Sequence, residues 1–215
     1  MKIVSVNVSL PRTVRWKNRD VTTGIFKRPV QGRVMARKFD LDGDQQADLA
    51  VHGGANKAIY GYPSDYYSFW RNELPGMDLP WGMFGENLSI EGLREDETHI
   101  GDRFQVGTAL LMATQPRIPC YKLAVKFGRD DILKRFLRSE KSGVYFSVLN
   151  EGFIQAGDTI EKTHQDDSGI SVTDINRVYA SHRDDVPMLC RVVQLAALPQ
   201  DWRDYFGKKL EMLEQ

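Results

Sequence analysis

The chain of 215 residues carries 29 basic and 29 acidic side chains, so its formal net charge is zero and the broad positive field of a general nucleic-acid-binding protein is absent. Its two cysteines lack a Cys-x-x-Cys spacing, which excludes a zinc ribbon, a cysteine-ligated iron–sulfur cluster and a disulfide-rich scaffold. No apolar run reaches the ~20 residues of a membrane span, and the amino-terminal apolar run is too short for a signal peptide. We therefore expect a soluble, cytoplasmic protein with one sizeable core and no nucleic-acid or membrane partner.

Short alternating segments dominate the first two thirds of the chain and predict β-strands. Residues 2–10 alternate with period two, residues 32–41 form a second candidate strand, and residues 108–116 and 144–152 are apolar. Gly-Asp turns precede two further alternating runs. Short strands joined by such turns are typical of a closed or partly closed sheet, so we predict an α+β fold that is mainly β.

Helical periodicity interrupts the strand pattern in three places. Ser64 is the predicted N-cap of a helix that ends before Pro75. Two helical segments follow later, over residues 121–128 and 129–140, and the second of them places its apolar side chains on one face. We therefore expect helices to be inserted between the strands.

The end of the chain changes character. Polar, turn-like residues near His164 are typical of a linker, and three helical patterns follow, the first with Ser171 and Asp174 at capping-box spacing. We predict a main domain over residues 1–163 and a small three-helix unit over residues 164–215. Because such a short unit has little core of its own, we expect it to pack on the main domain or to bind a partner.

A basic pair early in the chain is suited to binding a phosphate group. Lys27 and Arg28 stand directly before Pro29, which restricts the backbone. Arginine donates a fork of hydrogen bonds and lysine supplies a point charge, and both suit phosphate oxygens. A solvated surface pair is the alternative.

Two glycine-containing stretches hold polar groups suited to contacting a ligand. His52 stands before Gly53 and Gly54, which permit positive φ and close approach of a ligand; a hairpin turn with an ordinary histidine is the alternative. Glu86 and Asn87 follow a glycine and would present a carboxylate and an amide; a tight turn in which Asn87 caps the backbone is the alternative. Neither stretch identifies a ligand by itself.

Cys120 is the strongest candidate for a chemical role. Pro119 restricts the chain before it, and Arg117 and Lys122 favour the thiolate form of its sulfur. A thiolate is a nucleophile or a soft metal ligand, and both alternatives stay open beside that of a buried apolar side chain. Because no other residues have metal-ligand spacing, a metal bound by this single thiolate would have to arrive with its own organic chelate. Cys190, in an apolar run, is predicted to be a core residue.

Six segments, in their order and spacing, resemble the MOSC family, which is named after the C-terminal domain of molybdenum cofactor sulfurases. They are TGIFKRPV, GDQQADLAVHGGANKAIYGY, MFGENLSIEGL, IGDRFQVG, QPRIPCYKL and KSGVYFSVLNEG. The resemblance covers about residues 1–163 and is closest to the YiiM-type subgroup, whose 3-alpha domain the helical tail resembles. The combination of His-Gly-Gly, Gly-Glu-Asn-Leu and Pro-Arg-x-Pro-Cys is specific, whereas any one of them alone is not.

This resemblance implies a MOSC-type, barrel-like β domain with peripheral helices that binds molybdenum cofactor (molybdopterin), a pterin dithiolene with a terminal phosphate. Cys120 would be the protein ligand to molybdenum and not a nucleophile. YiiM-type proteins reduce small N-hydroxylated compounds, such as hydroxylaminopurine base analogues, to amines, so the resemblance implies a molybdenum-dependent reductase. The alternatives are a cofactor carrier or sulfur-handling module without turnover, and a cysteine hydrolase.

The resemblance also suggests roles for the other candidate residues. Lys27 and Arg28 would hold the cofactor phosphate. The residues that would contact the pterin, its charge or the substrate are His52, Gly53, Gly54, Asn87 and Arg117. His52 and Glu86 are the candidates for a catalytic proton donor.

The source of electrons is expected to be a second protein. The chain lacks both a cysteine set for an iron–sulfur centre and a Gly-x-Gly-x-x-Gly motif after a strand. We therefore expect a separate reductase, flavin-dependent, as the electron donor. The helical tail would dock this reductase or, alternatively, stabilise the domain or a homodimer.

Overall fold

The computed structural model describes residues 1–47 and 53–213 and has an α+β fold, as predicted. Its strands are β1 (Lys2–Val8), β2 (Arg12–Trp16), β3 (Arg19–Thr23), β4 (Arg28–Pro29), β5 (Val34–Ala36), β6 (Ile59–Pro63), β7 (Leu88–Glu91), β8 (Arg103–Val106), β9 (Ala109–Pro116), β10 (Val144–Asn150), β11 (Gly152–Ile154) and β12 (Ile160–His164). Its helices are α1 (Tyr66–Glu73), α2 (Tyr121–Phe127), α3 (Ile132–Ser139), α4 (Val172–Ala180), α5 (Val186–Val193) and α6 (Gln200–Leu213).

Eight of the described strands form one sheet that closes on itself. Their order is β12–β8–β9–β10–β6–β7–β1–β4. The Ile3 N–H donates to the Asp158 carbonyl at 2.9 Å, and the Gly157 N–H donates to the Ile3 carbonyl at 2.8 Å. These bonds join β1 to the segment that leads into β12, at the opposite edge of the sheet. The sheet is therefore barrel-like, and its closure satisfies backbone groups that an open edge would expose.

The strands β6 and β7 are parallel, whereas the other neighbouring pairs are antiparallel. A parallel pair needs a crossover connection, and here residues 64–87, which include α1, provide it. Gly61 in β6 lets side chains pack closely across the sheet, because a Cβ there would lie 2.8 Å from the Phe146 ring and 3.0 Å from Ile90. The crossover delivers the Gly-Glu-Asn turn to the barrel immediately before β7.

Two apolar clusters hold the described chain together. The first fills the barrel, and its large buried members are Ile3, Leu88, Ile90, Phe104, Leu111 and Phe146. The second packs α1, α2 and α3 against the barrel, and its aromatic members include Tyr62, Tyr67, Trp70, Phe84, Phe127 and Phe136. Because Phe84 stacks on Tyr62 with ring centroids 4.6 Å apart, this second cluster also fixes the turn before β7.

Two local predictions differ from the structure. Of the predicted strand over residues 32–41, only Val34–Ala36 forms a strand. The N-cap of α1 is Asp65 and not the predicted Ser64, whose carbonyl instead accepts the Tyr67 N–H at 3.1 Å. The second difference is at an element boundary, where local hydrogen bonds decide the last residue. In the first, the chain turns back after Ala36, and the Asp42 N–H donates to the Met35 carbonyl at 2.9 Å.

The three carboxy-terminal helices pack on the barrel. Helix α4 begins with the predicted capping box, in which the Ser171 hydroxyl accepts the Asp174 N–H at 3.1 Å. The buried Ile175, Leu189 and Phe206 belong to the same apolar cluster as the barrel interior. The tail therefore shares the main core, while the domain boundary between residues 163 and 164 stays a prediction. Within the described residues, no helix combines the length and the apolar character that spanning a membrane requires.

Glu95 is a buried carboxylate at the contact between the barrel and α4. It accepts the Gly143 N–H and the Tyr66 hydroxyl, the latter at 3.4 Å, while its backbone carbonyl accepts the Thr173 N–H at 3.2 Å. Burial raises the pKa of Glu95 to about 7, although the hydrogen bond from Gly143 opposes the shift. The folded state therefore retains a proton on Glu95 at pH values where the unfolded chain has lost it.

Glu95 is expected to make folding stability fall as the pH rises from about 4.5 to about 7. A raised carboxyl pKa contributes stability that is fully present below the unfolded pKa and is lost as the pH rises through the folded pKa. Glu95→Gln removes this titration, so its unfolding free energy should gain about 2 kcal/mol relative to the wild type between roughly pH 5 and pH 8. Urea unfolding of both proteins measures this gain, and equal pH slopes would contradict it.

Candidate functional site

A cavity of about 630 Å³, including its open mouth, is lined by side chains from segments that are far apart in the sequence. Four of the predicted site residues, Lys27, Asn87, Arg117 and Cys120, line it. They come from the segment before β4, the crossover turn and the loop between β9 and α2. The fold therefore brings together four residues that are separated by up to 93 positions in the chain.

Cys120 lies at the start of a helix, as the sequence predicts. Strand β9 ends at Pro116, and Cys120 is the N-cap residue of α2, with extended backbone and a carbonyl that accepts the Leu123 N–H at 2.9 Å. The residue is half-buried and lines the cavity. Neither Cys120 nor Cys190 forms a disulfide in the structure. The preceding proline and the helix together fix the direction of the thiol.

Arg117 places a permanent positive charge beside the Cys120 loop. Its buried guanidinium donates to the Phe84 carbonyl and lies 4.8 Å from the Tyr60 ring centroid. Burial acts to lower the pKa of Arg117, but Tyr60, Tyr145 and Cys120 outweigh this effect and raise it. The side chain therefore stays charged, and its bond to Phe84 ties the Cys120 loop to the crossover turn.

The described lining of the cavity is positive. Its cations are Lys27, Lys57, Arg117 and Lys122, and no acidic side chain is among the described lining residues. The Lys122 side chain is mostly buried, while its ammonium group lines the cavity and forms no hydrogen bond or ion pair with another described residue. Lys57 forms a long ion pair, 3.9 Å, with Asp201 of α6. Such a lining attracts anionic groups, and a cation that has no protein partner is particularly suited to bind one.

Lys27 differs from the other cations because it already has a buried partner. Its ammonium group pairs with Asp44, which also accepts the Asn87 amide at 2.8 Å and the Ser9 N–H at 2.9 Å. Burial lowers the pKa of Lys27, and the attraction of Asp44 opposes this without cancelling it. Because its pKa is lowered, Lys27 releases its proton more readily than an exposed lysine.

Asn87 lines the cavity, but its amide is used within the protein. The amide oxygen accepts the Tyr60 N–H at 3.0 Å, and the amide nitrogen donates to Asp44. This is the backbone-capping alternative that the sequence left open. Asn87 therefore fixes the position of Asp44, and through it Lys27, rather than presenting an unused group to a ligand.

Glu86 points away from the cavity that its two neighbours line. Its carboxylate is fully buried and accepts four hydrogen bonds, from the Gly82 N–H at 2.8 Å, the Phe84 N–H at 3.0 Å, the Tyr67 hydroxyl at 2.5 Å and the Ser89 hydroxyl at 2.9 Å. Burial raises its pKa, and these bonds oppose the rise. Glu86 stabilises the turn, so we do not retain it as a proton donor.

The remaining predicted residues are placed as follows. The side chain of Arg28 is exposed and does not line the cavity, so we do not retain it as a phosphate ligand. Gly54 has a φ of 98° and precedes the 3-10 turn that carries Lys57 to the cavity, whereas Gly53 and Gly54 themselves are not among its lining residues. His52 lies outside the described residues, and its role stays a prediction.

Sequence reasoning missed Asp44, Gln46 and Tyr145. Asp44 follows an Asp-Gly pair, which is typical of a turn, and Tyr145 stands in an ordinary strand pattern. Gln46 donates its amide to the Lys57 carbonyl at 3.1 Å, while its buried Oε1 atom has no partner among the described residues. A buried acceptor that lines a cavity without a partner indicates a place for a ligand donor or a water molecule.

Comparison with known proteins identifies the family of the chain. The family model described as MOSC domain matches residues 48–161, and the model described as YiiM-like, 3-alpha helix domain matches residues 170–212. The uncharacterized protein YflK of Bacillus subtilis (strain 168) is 37% identical over 211 residues, which cover 98% of this chain and 95% of YflK. A protein of Gibberella moniliformis (strain M3125 / FGSC 7600) named "Reductase" is 33% identical over 179 residues, which cover 82% of this chain and 32% of that protein.

A solved structure shows the same fold. The crystal structure of YiiM from Geobacillus stearothermophilus superimposes with a TM-score of 0.82 at 36% sequence identity, and the match covers 97% of this chain and 98% of that one. The match therefore includes both the barrel and the carboxy-terminal helices. The chain belongs to the MOSC-domain family, and its tail is a YiiM-like 3-alpha helix domain.

Proposed function

We propose that this protein is a molybdenum-cofactor-dependent reductase that converts small N-hydroxylated compounds, such as hydroxylaminopurine base analogues, to amines. The observation that carries the proposal is the positive cavity in which the Cys120 thiol and four cationic side chains meet. Membership of the MOSC-domain family supports the cofactor. The relative that is named "Reductase" supports the reaction class.

The residues that line the cavity fit this cofactor. The described chain contains no group of three or more His, Cys, Asp or Glu side chains that would hold a metal ion, so the Cys120 thiolate suits a metal that brings its own dithiolene chelate. Lys57 and Lys122 would hold the terminal phosphate, in place of the predicted Lys27 and Arg28, because Lys27 is paired with Asp44 and Arg28 is exposed. The unpartnered Gln46 Oε1 would accept an N–H of the pterin.

When bound, the cofactor supplies the two-electron reduction of the N–O bond, for which the overall balance is R–NHOH + 2e⁻ + 2H⁺ → R–NH₂ + H₂O. Arg117 balances negative charge beside Cys120 and, with its raised pKa, keeps its proton. Lys27 has the opposite property, because burial lowers its pKa. Lys27, in contact with Asp44, is therefore the described cavity residue best suited to deliver a proton.

A separate protein is proposed as the electron donor. The chain has two cysteines, which cannot assemble an iron–sulfur centre, and Cys120 is assigned to the cofactor. A flavin-dependent reductase that docks near the cavity would supply the two electrons.

The decisive experiment measures amine formation. Protein produced in a host that makes the cofactor is incubated with hydroxylaminopurine and a chemically reduced dye as electron source. We expect stoichiometric conversion to the aminopurine. Cofactor binding without any amine product would instead favour the carrier alternative, and turnover by molybdenum-free protein would favour a hydrolase or another chemistry.

Lys122→Met is expected to weaken cofactor binding about tenfold, because a charge-assisted hydrogen bond to a phosphate contributes roughly 1.5 kcal/mol or more. Arg28→Met is the matched control: it also removes one positive charge near the site, but from an exposed side chain that does not line the cavity. Titration of apoprotein with isolated cofactor measures both affinities. Equal losses in the two variants would show that only long-range charge matters.

A further inference from the structure

A basic face borders the cavity that contains Cys120. It consists of four cationic side chains, of which the first is half-buried and the other three are exposed: Lys126, Arg12, Arg19 and Arg28. In the described part of the chain, none of the four forms an ion pair. The first acidic residues that follow Arg19 and Lys126 in the sequence already have partners, since Asp20 pairs with Arg15 and Asp130 pairs with Lys17. The basic face therefore carries positive charge that no described acidic side chain balances.

The hairpin of β2 and β3 and the helix α2 hold the basic face beside the cavity. Arg12 is paired with Thr23 across the hairpin, and Thr23 lines the cavity. Lys126 donates to the backbone carbonyl of the lining residue Lys27 at 3.5 Å. Arg12 and Lys126 also contact one ring, that of Phe26, with the guanidinium carbon 3.9 Å and the ammonium nitrogen 5.2 Å from its centroid. These contacts fix both cations at the edge of the cavity.

The charges of the basic face lie close enough to influence one another. Burial lowers the pKa of Lys126 to about 8, and the attraction of Glu86 opposes this shift. The positive charges of Arg12 and Arg28 lower it further. Because these cations repel one another, a negatively charged partner that covers the basic face would interact favourably with all of them.

Tyr121 connects the basic face to the site of reaction. It follows Cys120 directly and is 44% exposed. The guanidinium carbon of Arg19 lies 5.3 Å from its ring centroid. Arginine and tyrosine are among the residue types that contribute most to the binding energy of protein interfaces. A protein that covers Arg19 and Tyr121 would therefore lie one residue away from Cys120.

We propose that the basic face is the docking surface for an acidic, flavin-containing electron-donor protein. The proposal rests on the proposed function, which needs an external donor, and it assigns docking to the β2–β3 hairpin and α2 in place of the helical tail. Opposite charge would attract and orient the partner, and contact with Tyr121 would bring its flavin close to the cavity. With a reduced flavin, FlH⁻, as the donor, the balance is R–NHOH + FlH⁻ + H⁺ → R–NH₂ + H₂O + Fl.

The first test measures binding of flavodoxin, a small acidic flavoprotein, to the molybdenum-loaded enzyme. We expect the wild-type affinity to fall as salt is added, because salt screens exposed charges. The double variant Arg12→Glu/Arg19→Glu should bind flavodoxin about tenfold more weakly or worse, since it sets like charges against each other. Arg183→Glu/Lys208→Glu is the matched control, because it makes the same change of charge at two exposed residues of the helical tail. This control should bind flavodoxin like the wild type, and both double variants should keep the wild-type thermal midpoint.

Turnover separates docking from chemistry. With reduced flavodoxin as the electron source, Arg12→Glu/Arg19→Glu should form amine from hydroxylaminopurine about tenfold more slowly than the wild type. With saturating reduced methyl viologen, a small dye that needs no docking surface, it should form amine at the wild-type rate. Its molybdenum content should also be unchanged, because neither arginine lines the cavity.

Flavodoxin affinity that stays at the wild-type level in Arg12→Glu/Arg19→Glu, or an equal loss in the tail control, would overturn the proposal. Loss of molybdenum or of dye-supported turnover would place the two arginines in cofactor binding instead. Wild-type protein that fails to bind flavodoxin would also refute the docking surface, and binding of an oligonucleotide or a phosphatidylserine vesicle through the same arginines would then assign the basic face to that partner. Wild-type protein that binds flavodoxin through these arginines but forms no amine even with the dye would refute the proposed function and leave the docking surface standing.

Discussion

Cys120→Ser is expected to remove molybdenum from the protein while leaving its fold intact. Serine is close in size to cysteine, so the half-buried site at the start of α2 keeps its packing. A hydroxyl is a poor ligand for a metal that a thiolate binds. Since even outer-shell partners of a metal contribute about ten- to hundredfold in affinity, loss of the single protein ligand should cost roughly a hundredfold or more.

Elemental analysis of protein from a cofactor-competent host measures this effect, with reconstitution of apoprotein as a control for cofactor lost in purification. Cys190→Ser is the matched control, because Cys190 is also half-buried but lies in α5 and does not line the cavity that contains Cys120. We expect near-stoichiometric molybdenum in the wild type and in Cys190→Ser. Equal molybdenum in all three proteins would assign the metal to other residues, and its absence from all three after reconstitution would refute the cofactor assignment.

Much of the fold could be predicted from local pattern. Alternation over residues 2–10, the apolar run over residues 108–116 and the capping box at Ser171 specify their own structure, because each signal depends on residues within a few positions of one another. The parallel pairing of β6 and β7 could not be predicted in this way. It depends on a crossover that is stabilised by an aromatic cluster assembled from three helices, and no local pattern reports such a contact.

The same distinction between local signals and contacts of distant segments applies to the candidate site. The proline and cations around Cys120 are adjacent in sequence, so its position at the start of a helix could be predicted. The directions of neighbouring side chains could not, as Lys27 lines the cavity while Arg28 is exposed, and Asn87 lines it while Glu86 is buried on the other side. In both pairs, neighbouring residues have side chains on opposite faces of the chain. Which of the two side chains faces the cavity depends on pairing with strands that are distant in the sequence.

Asp44→Asn is expected to be the most destabilising of the substitutions considered, at about 3–5 kcal/mol, because it leaves the ammonium group of Lys27 buried without a counter-charge. The Asp44 carboxylate accepts hydrogen bonds from both Lys27 and Asn87. The amide N–H group of the new asparagine would therefore also face other hydrogen-bond donors. Urea unfolding measures the loss. Asp20→Asn, which breaks the exposed ion pair to Arg15, is the control and should cost less than about 1 kcal/mol.

Lys27→Met combined with Asp44→Asn should recover about 2 kcal/mol or more of that loss, since the buried charge is removed together with its partner. Additive losses in the two single variants and the double variant would contradict a direct buried pair.

The double variant also separates stability from chemistry. If Lys27 delivers a proton, the refolded double variant should bind cofactor yet form amine more slowly, with the greatest deficit at the pH values where the wild type is most active. A double variant with wild-type turnover would show that the pair serves only to fix the lining of the cavity, and would leave His52 as the predicted proton donor.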